Sequence, residues 1–300
     1  MSKILEGVLN DQLKQHLETN EIMSKIQHGY RKHRSTISAW TELDTVVSAA
    51  RDSGLTAALL CTDQSAAFNL VTADTIVSKL EVYGVDTSSC RLVRSYLTGR
   101  RTVCRVGEST SAETVLQSGV GEGSILGPLY FSIVLCCITA VLQRTKRRLL
   151  QKNVLSNITL FGYADDISAA ITAVLEADIQ ASIDVFLDEM EQYCSAAGLV
   201  MNPDKSEVVM FRRGQPTQQI TAGGQPKSGT VRLLGICVDK DYKFETQVKE
   251  IENAMNYRTA KIAPIAKILP FRRRNEVLEA IVISKEDMEL KSGVKVTRVK

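Results

Sequence analysis

The sequence predicts an α+β fold built on a β-α-β-β-α-β layer with a long insertion after its first strand. Three features predict it. Residues 55–60 form a continuous apolar run ending in Cys61-Thr62-Asp63, the pattern of a buried strand that delivers a carboxylate at its C-terminal edge. Residues 158–163 and 167–171 are apolar strands on either side of Ala164-Asp165-Asp166, a hairpin pattern. Residues 176–197 set Ile179, Ile183, Phe186, Leu187, Met190, Tyr193, Cys194 and Ala197 on one helical face, and Gly198 ends the run. A connected layer of this order places the first strand beside the hairpin. Asp63 and the Asp165-Asp166 turn are then expected at one edge.

The remaining elements follow in chain order. The first third is helical, with a basic loop at residues 29–36 in which Ser35 or Thr36 is the N-cap. Ile37, Trp40, Leu43, Val46, Val47 and Ala50 then recur at helical spacing, and Gly54 follows. Residues 70–83 predict a helix closed by Gly84, and residues 87–97 a second closed by Gly99. Residues 101–118 predict a hairpin around Gly107-Glu108. Residues 124–142 carry no charge and precede Arg144, Lys146, Arg147 and Arg148, a pattern that a membrane span shares. Gly127-Pro128 breaks the stretch near its start, and the apolar remainder falls short of the ~20 residues a bilayer needs. A buried helix is the expectation. Residues 206–211 and 231–238 predict further strands.

Composition narrows the function. The chain has 300 residues, 44% of them hydrophobic and 24% charged, which excludes wholesale disorder and collagen-like sequence. A net charge of +3 does not itself name a polyanionic partner. The seven cysteines are irregularly spaced and form no C-x-x-C pair, the pattern of free thiols in a reducing compartment. His16, His28 and His33 lie near no plausible thiol or hydroxyl nucleophile. The N-terminus, with Glu6 and no long apolar core, is not expected to be a signal peptide. Gly119, Gly121 and Gly123 fail the G-x-G-x-x-G spacing, and no Walker A pattern is present.

The chemistry rests on the carboxylates. Adjacent aspartates at a hairpin tip repel, and an uncompensated cluster raises at least one pKa. A divalent cation removes that cost, and hard oxygen ligands with room for water suit Mg²⁺. Two such ions ~4 Å apart can clamp an in-line phosphoryl displacement. Paired aspartates also occur simply as turn formers. Here the flanking apolar strands and the matching Asp63 favour the metal reading.

Six ordered segments resemble the reverse transcriptases of non-LTR (LINE-type, jockey or CR1-like) retrotransposons. Tyr163-Ala164-Asp165-Asp166 resembles Y-x-D-D, and residues 27–36 (QHGYRKHRST) resemble Q-x-G-F-R-x-x-R-S-T. Residues 63–69 (DQSAAFN) resemble D-x-S-x-A-F-D, and residues 119–128 (GVGEGSILGP) resemble G-V-P-Q-G-S-x-L-G-P. Residues 198–206 (GLVMNPDKS) resemble G-L-x-x-N-x-x-K-T, and residues 233–236 (LLGI) resemble an L-G hinge motif. The resemblance covers about residues 1–275.

It implies a right-hand polymerase with a ferredoxin-like palm, helical and hairpin fingers, and a partial thumb. The fingers would take residues 1–54 and 86–118, the palm 55–85 and 119–244, and the partial thumb 245–300. Asp63, Asp165 and Asp166 would hold two Mg²⁺ ions, with Mn²⁺ as a possible substitute. Phe68 would lie beneath the nucleotide sugar and exclude a 2′-hydroxyl; an ordinary core aromatic is the alternative. Arg31 and Arg34 would grip the triphosphate, with a solvated basic loop as the alternative. Glu122, Gly123 and their neighbours would approach the nascent base pair. Lys205 would sit near the pyrophosphate, unless it is only a surface lysine. The clusters Arg91/Arg94/Arg100/Arg101, 144–148 and 272–274 are candidate duplex contacts, with solvated faces as the alternative.

The implied partners are an RNA template, a DNA primer and dNTPs, with no membrane and no identifiable protein partner. An intracellular setting with access to the nucleus is implied for an active retrotransposon enzyme. Gly121-Glu122 departs from Pro-Gln, Asn69 from Asp, and residues after about 281 from a thumb. Neither a preceding endonuclease nor a following Cys/His cluster is visible, so a core cut from a longer element, or a remnant of one, is expected. Two alternatives stay open. An RNA-templated RNA polymerase shares the palm, but Y-x-D-D and Phe68 argue against it. A catalytically silent relic that only binds nucleic acid is the other.

Overall fold

The computed structural model describes residues 2–65, 67–121, 123–211, 220–226, 229–266 and 268–278. Helices α1 (Ser2–Thr19) and α2 (Thr36–Asp52) lead into strand β1 (Thr56–Ser65). The insertion holds α3 (Ala67–Leu70), α4 (Ala73–Val82), α5 (Thr87–Leu97) and the short strands β2 (Arg101–Thr102), β3 (Arg105–Val106), β4 (Ser109–Thr110) and β5 (Thr114–Val115). Then come α6 (Gly127–Leu135), α7 (Ile138–Gln151), β6 (Ser156–Tyr163), β7 (Asp166–Ala173), α8 (Glu176–Ala197) and β8 (Val200–Phe211). Two small hairpins follow, β9 (Thr221–Ala222) with β10 (Gln225–Pro226) and β11 (Thr230–Leu233) with β12 (Ile236–Asp239). Helices α9 (Glu245–Ala266) and α10 (Phe271–Leu278) close the described chain.

The central sheet has the order β6-β7-β1-β8 with every neighbouring pair antiparallel. Taken in layer order, these are its second, third, first and fourth strands, so the predicted β-α-β-β-α-β layer forms. Helices α7 and α8 pack against each other and onto one face of the sheet, while α2 packs on the opposite face. The larger core gathers Leu60, Ile171 and Val208 of the sheet with Ile183, Phe186 and Met190 of α8. The second core sets Trp40, Leu43 and Val47 of α2 against Leu59, Phe161, Val209 and Phe211. Ser35 is the N-cap of α2 and accepts a bond from the Ser38 N–H, so the first of the two candidate caps is the one used.

The uncharged stretch is two helices. Every residue of α6 except Pro128 is buried, whereas α7 buries only Ile138, Val141, Thr145 and Leu149. A helix apolar all round must be surrounded, and an amphipathic one must keep a face in water. The chain therefore breaks at Cys136-Cys137 and meets both demands. Residues 127–151 have the length and apolarity of a membrane span, and 61% of their most apolar window is buried within the protein. On α7, Arg144 Nε donates to Glu189 Oε2 at 2.6 Å and Arg148 Nη1 to Glu189 Oε1 at 2.9 Å. Burial pushes the Glu189 carboxyl up, but the two guanidinia outweigh it and hold it below the usual range.

Two predicted strands differ in form. Residues 230–239 make a hairpin, because Leu234 and Gly235 both adopt positive φ between the paired Leu233 and Ile236. Strand β8 begins at Val200, earlier than the apolar pattern suggests, and carries a register shift. Cys61 pairs with Glu207 and Asp63 with Asn202, so residues 203–206 bulge opposite Thr62 alone. The β9–β10 turn backs this bulge so closely that a Cβ on Gly223 would stand 2.1 Å from the Pro203 carbonyl oxygen.

Candidate active site

The sheet register brings the three aspartates together along the backbone. Thr62 of β1 pairs with Ile167 of β7, so the next residues at that edge are Asp63 and Asp166. Thr62 also donates its hydroxyl to the Ile167 carbonyl at 2.7 Å, bracing the two strands where the carboxylates begin. The hairpin turn is Ala164-Asp165; Asp166 is the first residue of β7, paired with Tyr163. Asp165 is half-buried and Asp166 exposed. The side chains of Asp63 and Phe68, and all of Glu122, lie outside the described residues. Among the described residues no set of three or more metal-ligating side chains is gathered. The donors that are described suit a hard cation: two adjacent carboxylates, one of them open to water, are what Mg²⁺ takes alongside its own waters.

The turn is strained and clamped. Ala164 has a φ of 56°, a left-handed conformation that costs a residue with a Cβ about 1–2 kcal/mol. The buried Gln27 carboxamide bonds both sides of this residue. The Ala164 N–H donates to Gln27 Oε1 at 3.0 Å, and Gln27 Nε2 donates to the Ala164 carbonyl at 3.0 Å. The strap carrying Gln27 joins the free edge of β6: the His28 N–H donates to the Gly162 carbonyl at 2.6 Å and the Gly162 N–H to the Ile26 carbonyl at 2.9 Å. Gly29 touches the turn itself, since a Cβ there would stand 2.6 Å from the Ala164 nitrogen.

Arg31 and Arg34 are turned toward this strap. Arg31 binds Glu18 bidentately, Nε to Oε1 at 2.8 Å and Nη2 to Oε2 at 2.6 Å, and its Nη1 donates to the Ser24 carbonyl at 2.6 Å. That hydrogen bonding holds the Glu18 carboxyl below its usual range, against the effect of burial. Arg34 Nη1 donates to the Gln27 carbonyl at 3.3 Å and to that of Lys25. His28 is buried, with Nδ1 2.7 Å from Ser38 Oγ and Nε2 3.1 Å from Glu42 Oε2.

The glycine loop is held by α1. Lys3 Nζ donates to the Gly123 carbonyl at 2.8 Å, and the Ile125 N–H donates to the buried Glu6 carboxylate at 2.9 Å. Lys205 is exposed on the β8 bulge, near the Asp63–Asn202 pair in register. Several cluster arginines are engaged within the protein: Arg94 with Asp74, Arg101 with Glu113, Arg273 with Glu276, and Arg100 with the Ser118 and Gly119 carbonyls. Arg91, Lys146 and Arg147 are exposed. Sequence reasoning gave no role to Gln27, Lys3 or Glu6. Gln27 opens the QHGYRKHRST segment, but nothing local marks its partner 137 residues away.

The family described as reverse transcriptase (RNA-dependent DNA polymerase) matches residues 1–238. Among curated proteins, a probable RNA-directed DNA polymerase from transposon BS of Drosophila melanogaster is 27% identical over 83% of this chain and 27% of its own length. One from the X-element of the same fly is 25% identical over 87% of the chain and 28% of its own length. The RNA-directed DNA polymerase from mobile element jockey of Drosophila funebris is 21% identical over 87% and 28%. The chain thus spans little more than a quarter of these relatives. Among solved structures, telomerase of Candida tropicalis with a fragment of telomeric RNA aligns at a TM-score of 0.55 and 9% identity, over 95% of this chain and 47% of that one. The apo enzyme truncated from its C-terminal domain aligns at 0.52 and 10%, over 77% and 43%. These likenesses show the right-hand polymerase fold.

Proposed function

We propose that this chain, which belongs to the reverse transcriptase family, is the core of an RNA-directed DNA polymerase from a non-LTR retrotransposon. The observation that carries the reading is the sheet register, which brings Asp63 beside Asp166 at the tip of the β6–β7 hairpin. Asp63, Asp165 and Asp166 would hold Mg²⁺, or Mn²⁺ in its place. When bound, such ions neutralise the carboxylates and stabilise charge on a transferring phosphoryl group. The chain's own part is to fix those carboxylates on a braced strand and a clamped turn, and to orient a primer 3′-hydroxyl and a dNTP on an RNA template. The proposed division keeps the palm at 55–85 and 119–244, the fingers at 1–54 and 86–118, and a partial thumb from 245. Gly123 and Lys205 are proposed nucleotide contacts, together with Arg31, Arg34, Phe68 and Glu122.

A silent nucleic-acid-binding relic is the second reading, and one observation favours it: both Arg31 and Arg34 bond to the chain itself. Primer extension on an RNA template with Mg²⁺ separates the two. Incorporation of dNTPs by the parent and none by the Asp165→Ala/Asp166→Ala variant is the expected result. A folded parent that retains duplex but extends nothing would leave the relic.

A further inference from the structure

We propose that Gln27 is a positioning residue that sets the conformation of the Asp165-Asp166 turn; this rests on the polymerase reading above. Four observations converge. Gln27 is buried, only 3% exposed. Its Oε1 accepts two backbone N–H groups, from Ala164 at 3.0 Å and Gly29 at 2.8 Å. Its Nε2 donates to the Ala164 carbonyl at 3.0 Å. The residue so held has a positive φ and stands immediately before Asp165.

The amide has one workable orientation. Flipped, its NH₂ would face two N–H donors and its oxygen would face a carbonyl. Only a side chain with both an acceptor and a donor on one planar head can bind both sides of Ala164. A carboxylate would keep the two accepted bonds but oppose the Ala164 carbonyl, and it would add negative charge beside Asp165 and Asp166. The strap that presents Gln27 is in turn held by guanidinium bonds to the carbonyls of Ser24, Lys25 and Gln27. The motif of residues 27–34 is therefore one device, with arginines gripping the strap, the strap aiming the amide, and the amide fixing the turn.

The test uses Gln27→Met and Gln27→Glu in the full chain. A carboxyl in this buried place titrates above its ordinary value, and once protonated it has the acceptor and donor of the native amide. For Gln27→Met we expect kcat for primer extension to fall about 100-fold with KM for dNTP little changed, as for a misplaced catalytic group. For Gln27→Glu the ratio of its rate to the parent's should climb as pH is lowered from about 8.5 to about 6, while that of Gln27→Met stays flat. The protection of the Ala164 amide, measured by NMR relative to an unfolded amide at the same pH, should fall in Gln27→Met and be restored in Gln27→Glu at low pH. Exchange reads the clamp without needing catalysis. A parent that extends no primer defeats the polymerase reading, while a still-protected Ala164 amide in folded Gln27→Met defeats the clamp. Should Gln27→Met not fold, a flat pH ratio and unchanged exchange for Gln27→Glu overturn the proposal instead.

Discussion

Two glycine-to-alanine substitutions should move stability in opposite directions. At Gly29 the added Cβ would stand 2.6 Å from the Ala164 nitrogen and 3.3 Å from the Tyr163 carbonyl carbon. Both are backbone atoms, and the Ala164 peptide is pinned on both sides by Gln27, so neither can give way cheaply. Overpacking of this kind costs about 1–3 kcal/mol. The narrower unfolded ensemble of alanine returns about 0.4–1 kcal/mol. The net expectation is a loss of roughly 1–2 kcal/mol by the same figures. Gly7 lies within α1 with nothing inside 4 Å of a built Cβ. There alanine should gain roughly 0.5–1 kcal/mol from helix propensity. Urea unfolding followed through Trp40, the chain's one tryptophan and a buried one, gives both numbers. Parent-like or higher stability for Gly29→Ala would refute the close approach of the strap to the Ala164-Asp165 turn.

Two further predictions rest on buried groups. Burial, with Arg34 and then Arg31 nearby, holds the His28 imidazole below its ordinary pKa of 6.5, against the pull of Glu42. The unfolded chain therefore takes up this proton first as pH falls. The contribution is whole above about pH 6.5 and is lost as pH drops from there through the folded value. Urea midpoints at pH 8 and pH 5.5 should show a smaller acid loss in His28→Gln than in the parent, and equal losses would remove His28 as the cause. Thiol labelling of the native chain should reach the exposed Cys104 and Cys137 first. Cys194 is buried, with its thiol pushed up to about 11 by burial, and it should react only on unfolding; mass mapping of early adducts at Cys194 would contradict this.

What was legible in the sequence was set locally. The Ser35 cap, the single apolar face of α8 ending at Gly198, and the tight turn at Gly107-Glu108 each depend on a few neighbouring residues. The convergence of Asp63 with Asp166 was legible too, because the order of elements in a β-α-β-β-α-β layer admits few connections. Less was legible where two partners distant in sequence decide the outcome. The bulge of residues 203–206 follows from how β8 meets β1 and the β9–β10 turn, and no propensity marks it. The split between α6 and α7 follows from which faces find neighbours, and no charge, glycine or proline marks it within residues 129–142.

The two arginines show why residue type alone assigns roles poorly. A guanidinium fork meets carboxylate, phosphate and backbone carbonyl with the same five N–H donors. Arg31 commits Nε, Nη1 and Nη2, two of them to a carboxylate whose own pKa is depressed by the pairing. Releasing it to a phosphate would leave Glu18 unpaired and strip the Ser24 carbonyl of one of its two donors, leaving it the Gln27 N–H alone. Arg34 commits only Nη1, to carbonyls of the strap. Its Nε and Nη2 donors make no such bond among the described residues, so it can hold the strap and meet an anion at once. Of the two residues proposed for the triphosphate, Arg34 therefore fits that task without dismantling the clamp, and Arg31 fits the task of anchoring the strap to α1. On the proposed function, the same loop would join nucleotide capture to the geometry of the Asp165-Asp166 turn through the few atoms of Gln27.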